Sequence, residues 1–165
     1  MPIRKIISGG QTGVDRAALD AALELGIPCG GWCPKGRIAE DGTIHPRYPL
    51  QETSSSSYPV RTERNVKDSD GTLVLTEGPP SGGTARTIAL AKKYKKPCLV
   101  IDLAKDGSPD TVTKWVQANR IQILNVAGPR ESKCPGIHGR ALEFLRVALK
   151  TSVVADAVLS RGDPR

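Results

Sequence analysis

A glycine-rich stretch near the N-terminus has the residue types of an anion-binding turn. Residues 8–16 read Ser-Gly-Gly-Gln-Thr-Gly-Val-Asp-Arg and lie between a short apolar run and a segment with apolar residues at helical spacing. Glycine lets a ligand approach the backbone closely, and a helix start offers unpaired N–H groups at the positive end of its dipole. We therefore predict an anion site, the alternative being a tight turn that binds nothing. The predicted site residues are Gly9, Gly10, Gln11, Thr12, Gly13 and Asp15.

A second stretch of the same kind lies in the middle of the chain. Residues 81–84, Ser-Gly-Gly-Thr, follow the β-type run 72–76 and precede a helical segment. In a parallel sheet, two such turns on either side of a topological switch point place both helix N-termini over one crevice. Ser81, Gly82, Gly83 and Thr84 therefore join the predicted site.

A third turn near the first carries two cations. Residues 33–37 read Cys-Pro-Lys-Gly-Arg and follow a short segment with two adjacent glycines. Glycine, proline and basic residues at the end of a strand suit an anion, and they suit an ordinary surface turn equally well. Lys35 and Arg37 are candidates for the site on this basis.

The elements that position these turns alternate between strand and helix. Apolar runs predict strands over 3–7, 27–32, 72–76, 97–103 and 121–126, and helical periodicity predicts helices from 14, over 61–67, 85–94, 110–119 and 139–150. Thr12 and Asp15 have the spacing of a capping box at the first helix. This alternation predicts an α/β fold, a Rossmann-like three-layer sandwich with a mostly parallel sheet. Neither the G-x-G-x-x-G fingerprint of NAD binding nor a P-loop is present.

Length and composition favour one globular domain. The chain has 165 residues, of which 38% are hydrophobic and 25% charged, and it lacks both a membrane-length apolar run and an N-terminal signal sequence. We predict a cytoplasmic protein with one ligand-binding domain over 1–150 and a partly disordered tail over 151–165. Residues 38–60 show no period and are predicted to form a lid or a wall of the site.

Charge and cysteine usage narrow the range of partners. The net charge of +7 fits an anionic ligand, whereas the 4% of aromatic residues are too scattered for a nucleic-acid stacking platform. Cys29, Cys33, Cys98 and Cys134 have neither the spacing of a disulfide framework nor that of a zinc knuckle. We predict reduced thiols and no metal site.

Several motifs together resemble the molybdenum-cofactor-carrier family. The resemblance covers most of positions 3–150. The motifs that carry it are residues 9–16, Gly-Gly-Trp-Cys-Pro at 30–34, Gly-Arg-Ile-Ala-Glu-Asp-Gly at 36–42, Tyr-Pro-Leu at 48–50, Glu-Thr at 52–53, Arg-Thr at 61–62, Asn-Val at 65–66 and Gly-Gly-Thr at 82–84. That family belongs to the Rossmann-like group that includes lysine-decarboxylase-like proteins and cytokinin-activating phosphoribohydrolases.

The resemblance implies a carrier rather than a catalyst. Its ligand would be the molybdenum cofactor (molybdopterin), a pterin with a dithiolate and a terminal phosphate, and Lys35, Arg37 or Arg61 would neutralise the phosphate or an oxo-molybdenum group. A homo-oligomer is implied as well, and cofactor-synthesis proteins and molybdoenzymes are the implied protein partners.

The hydrolases of the same group supply the alternative function. Their pattern P-G-G-x-G-T-x-x-E ends in a glutamate that works with an upstream arginine on a nucleoside monophosphate. Arg61 resembles that arginine, but Thr87 stands in the place of the glutamate, and a threonine cannot do the work of a carboxylate. We therefore predict cofactor binding first, a phosphoribohydrolase-like enzyme second, and a nucleic-acid-binding module, supported by charge alone, third.

Overall fold

The computed structural model describes residues 3–105 and 107–160, without the side chains beyond Lys150. The strands are β1 (Lys5–Ile7), β2 (Cys29–Gly30), β3 (Trp32–Cys33), β4 (Ile38–Ala39), β5 (Gly42–Thr43), β6 (Gln51–Glu52), β7 (Gly71–Thr76), β8 (Cys98–Asp102) and β9 (Ile123–Ala127). The helices are α1 (Val14–Leu25), α2 (Tyr58–Asp68), α3 (Gly82–Lys93), α4 (Pro109–Ala118) and α5 (Ile137–Ser160).

Five of the strands form one parallel sheet in the order β2-β1-β9-β7-β8. If β9 is counted first and the count continues from the N-terminus, the order becomes 3-2-1-4-5, which is that of a doubly wound sheet. Such sheets bind ligands beyond the carboxyl ends of their strands, where the order reverses. That point lies here between β9 and β7. The predicted Rossmann-like α/β fold is confirmed, with a central sheet that is wholly parallel.

The helices cover the two faces of the sheet. Helix α1 connects β1 to β2, and α4 connects β8 to β9, so both connections run toward the β2 edge of the sheet. Helix α3 connects β7 to β8 in the opposite direction. Right-handed crossovers therefore place α3 on the face opposite α1 and α4. Helices α1 and α4 both pack on α5, while α2 packs on α3. Strand β7 is buried along its whole length, and its Leu73 and Leu75 enter the main core together with residues of α1, α4 and α5.

Several predicted boundaries differ from those observed. Helix α2 begins at Tyr58 rather than Arg61, because Pro59 is compatible with the first turn of a helix. Helix α5 continues past Lys150 to Ser160. The part of the predicted tail over 161–165 lies outside the described residues.

Residues 38–50 have a small core of their own. Leu19 of α1 packs there with Cys33, Ala39, Ile44, Tyr48 and Leu50. The segment therefore lies against α1. It contains the short pair β4–β5 and is flanked by the short pair β3–β6. Its period was undetectable in the sequence because these elements have only two residues each.

Ser108 caps α4 and provides a test of local stability. Its hydroxyl oxygen accepts a hydrogen bond of 3.2 Å from the backbone N–H of Asp110. We expect Ser108→Ala to lower the free energy of unfolding by about 1 kcal/mol, because one N–H of the first turn loses its acceptor. Urea denaturation measures this loss. Ser108→Asp keeps an acceptor and should recover most of it, so equal losses in both variants would contradict the capping role.

Candidate functional site

A cavity of about 340 Å³ opens at the carboxyl ends of β1, β7 and β9. The turn after β1, the start of α3 and the turn after β9 form its wall, together with the first turns of α2. Both glycine turns predicted from the sequence thus line one cavity. They do not flank the reversal point as expected, because the strands beside it are β9 and β7 and the first turn follows β1. Of the predicted site residues, those in the lining are Gly9, Gln11, Asp15, Arg61, Ser81, Gly83 and Thr84.

Arg61 lies buried at this cavity, with 10% of its side chain exposed. Its Nη1 donates to the Gly9 carbonyl oxygen at 2.8 Å and lies 3.4 Å from Oδ2 of Asp15, and its Nε donates to the Thr62 hydroxyl at 3.2 Å. Among the described residues, none accepts a hydrogen bond from Nη2. The guanidinium is therefore held in place with one donor group left for a ligand.

Gly9 provides the space for this guanidinium. A Cβ atom at position 9 would lie 2.0 Å from Nη1 of Arg61, 2.7 Å from its Cζ and 2.9 Å from Oδ2 of Asp15. No side chain fits at these distances. The glycine is needed because Arg61 passes over the turn.

Asp15 is the buried partner of Arg61. Its Oδ2 also accepts from the backbone N–H of Gln11 at 3.3 Å. Burial raises the pKa of Asp15 from 3.8 to about 6, although Arg61, the Gln11 N–H and Arg16 each lower it. The carboxyl group thus changes its charge close to neutral pH, directly beside the arginine that faces the cavity.

The capping box predicted at α1 is wrong. The N-cap is Gly13, with φ of 78°, and no side chain makes a capping hydrogen bond. The Thr12 hydroxyl instead donates to Glu40 and accepts from the backbone N–H of Glu131 at 3.2 Å. Glycine is required at 13 because a Cβ would lie 2.3 Å from the Pro129 carbonyl oxygen.

Six predicted residues lie outside the lining, namely Gly10, Thr12, Gly13, Lys35, Arg37 and Gly82. A Cβ at Gly10 would meet Leu50 at 2.5 Å, so this glycine serves the small core. Gly82 has φ of 53°, which is in the left-handed region that favours glycine, and it lies at the start of α3. Lys35 donates its backbone N–H to the Ser55 carbonyl at 2.9 Å, and its exposed side chain is not in the lining.

Arg37 has a structural role at the loop over 44–50. Its guanidinium donates to four backbone carbonyl oxygens at 2.9–3.3 Å. These belong to Ile44, His45, Tyr48 and Leu50. Because the group is used in this way and lies away from the cavity, it is not part of the proposed site.

Several lining residues were missed from the sequence. The turn after β9 contributes Arg130, Lys133 and Cys134, and α3 contributes Arg86. With Arg61, four cationic side chains line the cavity, against the carboxyl groups of Asp15 and Glu77. The sequence places residues 127–132, Ala-Gly-Pro-Arg-Glu-Ser, as a polar turn at the same edge of the sheet as the two glycine turns, and that signal was sufficient to include Arg130 in the predicted site.

Glu77 and Thr87 also line the cavity. The Glu77 carboxylate accepts from Nε of Arg140 and is thereby held at the wall. Thr87 donates its hydroxyl to the Gly83 carbonyl at 2.9 Å, inside α3. The position of the hydrolases' glutamate is thus occupied by a side chain that is already bonded to its own helix.

Metal-ligand clusters and membrane-spanning helices are both absent from the described residues, 3–105 and 107–160. No group of three or more histidine, cysteine, aspartate or glutamate side chains is arranged to hold a metal ion there. No helix among them is both long and apolar enough to span a membrane. The four cysteines are free, Cys33 being buried and Cys134 lying at the cavity.

Comparisons with known proteins show a relative with the same fold. The crystal structure of a "Putative molybdenum carrier protein" from Syntrophus aciditrophicus is 52% identical in sequence, with a TM-score of 0.86. The match covers 90% of this chain and 96% of the other. Comparison with curated proteins found no match.

Residues 6–149 match the family described as "Circularly permutated YpsA SLOG family". The strand order shows the permutation directly. The strand at the centre of the doubly wound order, which would come first in the usual numbering, is the C-terminal strand β9. The first glycine turn therefore follows the second strand of the usual order. The match over most of the chain and the strand order together show that this chain belongs to the circularly permutated YpsA SLOG family.

Proposed function

We propose that the cavity binds and carries a small molecule with a phosphate group, and that its cargo is the molybdenum cofactor. The observation that carries the proposal is the buried guanidinium of Arg61. It is fixed by Gly9 and Asp15, and its Nη2 remains available to a ligand. A guanidinium that is held in a fixed orientation suits a phosphate oxygen, because hydrogen bonds between charged groups are stronger than those between neutral groups.

The rest of the lining is consistent with this cargo. The start of α3 lacks a side-chain cap, and Ser81, Gly83 and Thr84 line the cavity, so the positive end of the helix dipole faces a bound anion. A volume of about 340 Å³ lies in the range of small-molecule sites. Arg86, Arg130 and Lys133 add positive charge for a phosphate or an oxo-metal group.

The relative from Syntrophus aciditrophicus is described as a molybdenum carrier, and this supports the choice of cargo. A carrier exchanges its cargo with proteins that make it and proteins that use it. We therefore infer cofactor-synthesis proteins and molybdoenzymes as partners, in the cytoplasm. The homo-oligomer remains a prediction that light scattering would decide.

Purification from cells that synthesise the cofactor tests the proposal. We expect the protein to contain molybdenum by elemental analysis and a pterin by fluorescence after oxidation, in near-equal amounts. The Arg61→Ala variant, prepared in parallel, should contain much less of both. Protein without pterin that also shows no affinity for the cofactor on titration would exclude this cargo.

One observation favours a second function, hydrolysis of a nucleoside monophosphate. Asp15 lies in the cavity with a pKa of about 6 and is therefore suited to proton transfer near neutral pH. Incubation with nucleoside monophosphates and analysis for free base tests it. Release of base by the wild-type protein, absent from an Asp15→Asn variant, would favour the enzyme over the carrier.

A further inference from the structure

The tip of the β4–β5 hairpin consists of Glu40 and Asp41, and neither residue lines the cavity. The tip nevertheless connects two walls of the cavity. Glu40 donates its backbone N–H to Oε1 of Gln11 at 2.9 Å, and the same oxygen accepts from the N–H of Thr12 at 3.0 Å. The amide group of Gln11 is therefore oriented by the hairpin. Gln11 itself lines the cavity, whereas Glu40 does not.

The carboxylate of Glu40 joins the turn after β1 to the turn after β9. It accepts from the Thr12 hydroxyl on one side. On the other side it accepts from the backbone N–H and the hydroxyl of Ser132, at 3.1 and 2.5 Å. A residue at position 40, far from both turns in sequence, thus holds them together.

Arg130 is the cationic part of this network. Its Nε lies 3.6 Å from Oε2 of Glu40. That nitrogen is buried and makes no hydrogen bond within the described residues, so the charge of Glu40 is what compensates it. Partial burial raises the pKa of Glu40, but the hydrogen bonds from Ser132 and Thr12 and the charge of Arg130 outweigh it, and the pKa lies below its ordinary value. Glu40 therefore stays ionised at neutral pH.

We propose that Glu40 is a positioning residue for the anion site: its carboxylate holds Arg130 at the cavity wall without touching the ligand, while the backbone N–H of the same residue, which any side chain at position 40 leaves in place, orients Gln11. The inference rests on the proposed function, because it assigns Arg130 to the anion in the cavity. It adds that a residue outside the lining determines part of the affinity.

Asp41 provides a matched control in the same hairpin. Its carboxylate pairs with Arg16, whose Nη2 also donates to the Gly10 carbonyl at 3.0 Å. Among the described residues, Asp41 forms hydrogen bonds and ion pairs with Arg16 and with none in the turn after β9. Asp41→Asn therefore removes a hairpin charge of the same sign and leaves Arg130 and Ser132 in place.

A double-mutant cycle tests the proposal, with adenosine monophosphate as the probe in calorimetric titrations. We expect Glu40→Ala to weaken binding about 10-fold and Arg130→Ala about 20-fold. The double variant should bind as weakly as Arg130→Ala, within a factor of two, because Glu40 acts through Arg130. Glu40→Gln keeps one oxygen that can accept from the Thr12 hydroxyl and the Ser132 N–H, but it loses the charge and the acceptor for the Ser132 hydroxyl, and it should weaken binding by an intermediate factor. Asp41→Asn should bind like the wild type.

A measurement without ligand separates this proposal from the proposed function. Hydrogen exchange of the amides over 130–134 should become at least 10-fold faster in Glu40→Ala than in the wild type or Asp41→Asn, with thermal midpoints compared in parallel. Wild-type protein that binds no phosphate compound contradicts the anion site, and this exchange comparison then decides whether Glu40 holds the turn. Unchanged exchange, additive effects in the cycle, or Glu40→Ala binding within a factor of two of the wild type would each overturn the positioning role.

Discussion

Replacing Gly9 with alanine should remove most of the affinity for phosphate compounds, although the substitution changes no charged residue. The new Cβ would lie 2.0 Å from Nη1 of Arg61, so the guanidinium must leave its position between the Gly9 carbonyl and Asp15. Loss of one hydrogen bond between charged groups weakens binding roughly 100-fold. Calorimetric titration with adenosine monophosphate measures the change, and inorganic phosphate serves as a smaller probe.

Two companion variants make this result specific. Arg61→Ala should reproduce the loss of affinity, because it removes the same guanidinium. Gly139→Ala is the matched control, since no heavy atom lies within 4 Å of a Cβ built at this helical position. If Gly9→Ala remains folded and binds like Gly139→Ala, Arg61 does not hold the anion.

Asp15→Asn should change the dependence of stability on pH. The pKa of Asp15 is higher in the folded chain, about 6, than its ordinary 3.8, so the folded state takes up a proton first as the pH falls. Its contribution to stability is therefore fully present below about pH 4 and is lost as the pH rises to about 6. The rise in the pKa of Asp15 corresponds to about 3 kcal/mol of unfolding free energy, since one pKa unit is about 1.4 kcal/mol.

Urea denaturation at several pH values measures this contribution. Between pH 4 and 6.5 the unfolding free energy of the wild type should fall relative to that of Asp15→Asn, because asparagine does not titrate. Asp110→Asn, a change at an exposed position of α4, should follow the wild type. Parallel curves for all three proteins would contradict the raised pKa.

The same carboxyl group should regulate anion binding. Below pH 6 Asp15 becomes neutral, and Arg61 then faces the cavity without a negative neighbour at 3.4 Å. Sulfate, whose charge is constant in this range, should bind more tightly at pH 5 than at pH 8, roughly 10-fold for an electrostatic change of about 1.4 kcal/mol. In Asp15→Asn the affinity should be nearly independent of pH. A wild-type affinity for sulfate that does not change with pH would show that the charge of Asp15 does not affect anion binding.

The local patterns of the sequence were sufficient for the fold class and for two walls of the site. Buried β-type runs such as 72–76 and the glycines that follow them are short-range features, because strand propensity and turn geometry depend on neighbouring residues. Thus the strand–turn–helix units of β1–α1 and β7–α3 were predicted. Arg61 was recognised through a family resemblance, and its place beside Gly9 could not be derived from spacing.

The chain by itself thus determined the segments that form the strands of the central sheet, the helices and the glycine turns, since these are local choices; the two-residue strands β4, β5 and β6 were not among them. The tertiary structure decided which turns share a cavity. Strand β9 lies between β1 and β7, which are far from it in sequence, so the turn after β9 reaches the other turns only when the sheet has formed. It also decided the roles of similar residues. Arg37 donates to four backbone carbonyls, whereas Nη2 of Arg61 has no acceptor among the described residues, and the carboxylate of Glu40 accepts from Ser132 in the turn after β9. These contacts join residues distant in sequence, so only burial and packing in the folded chain distinguish the two arginines.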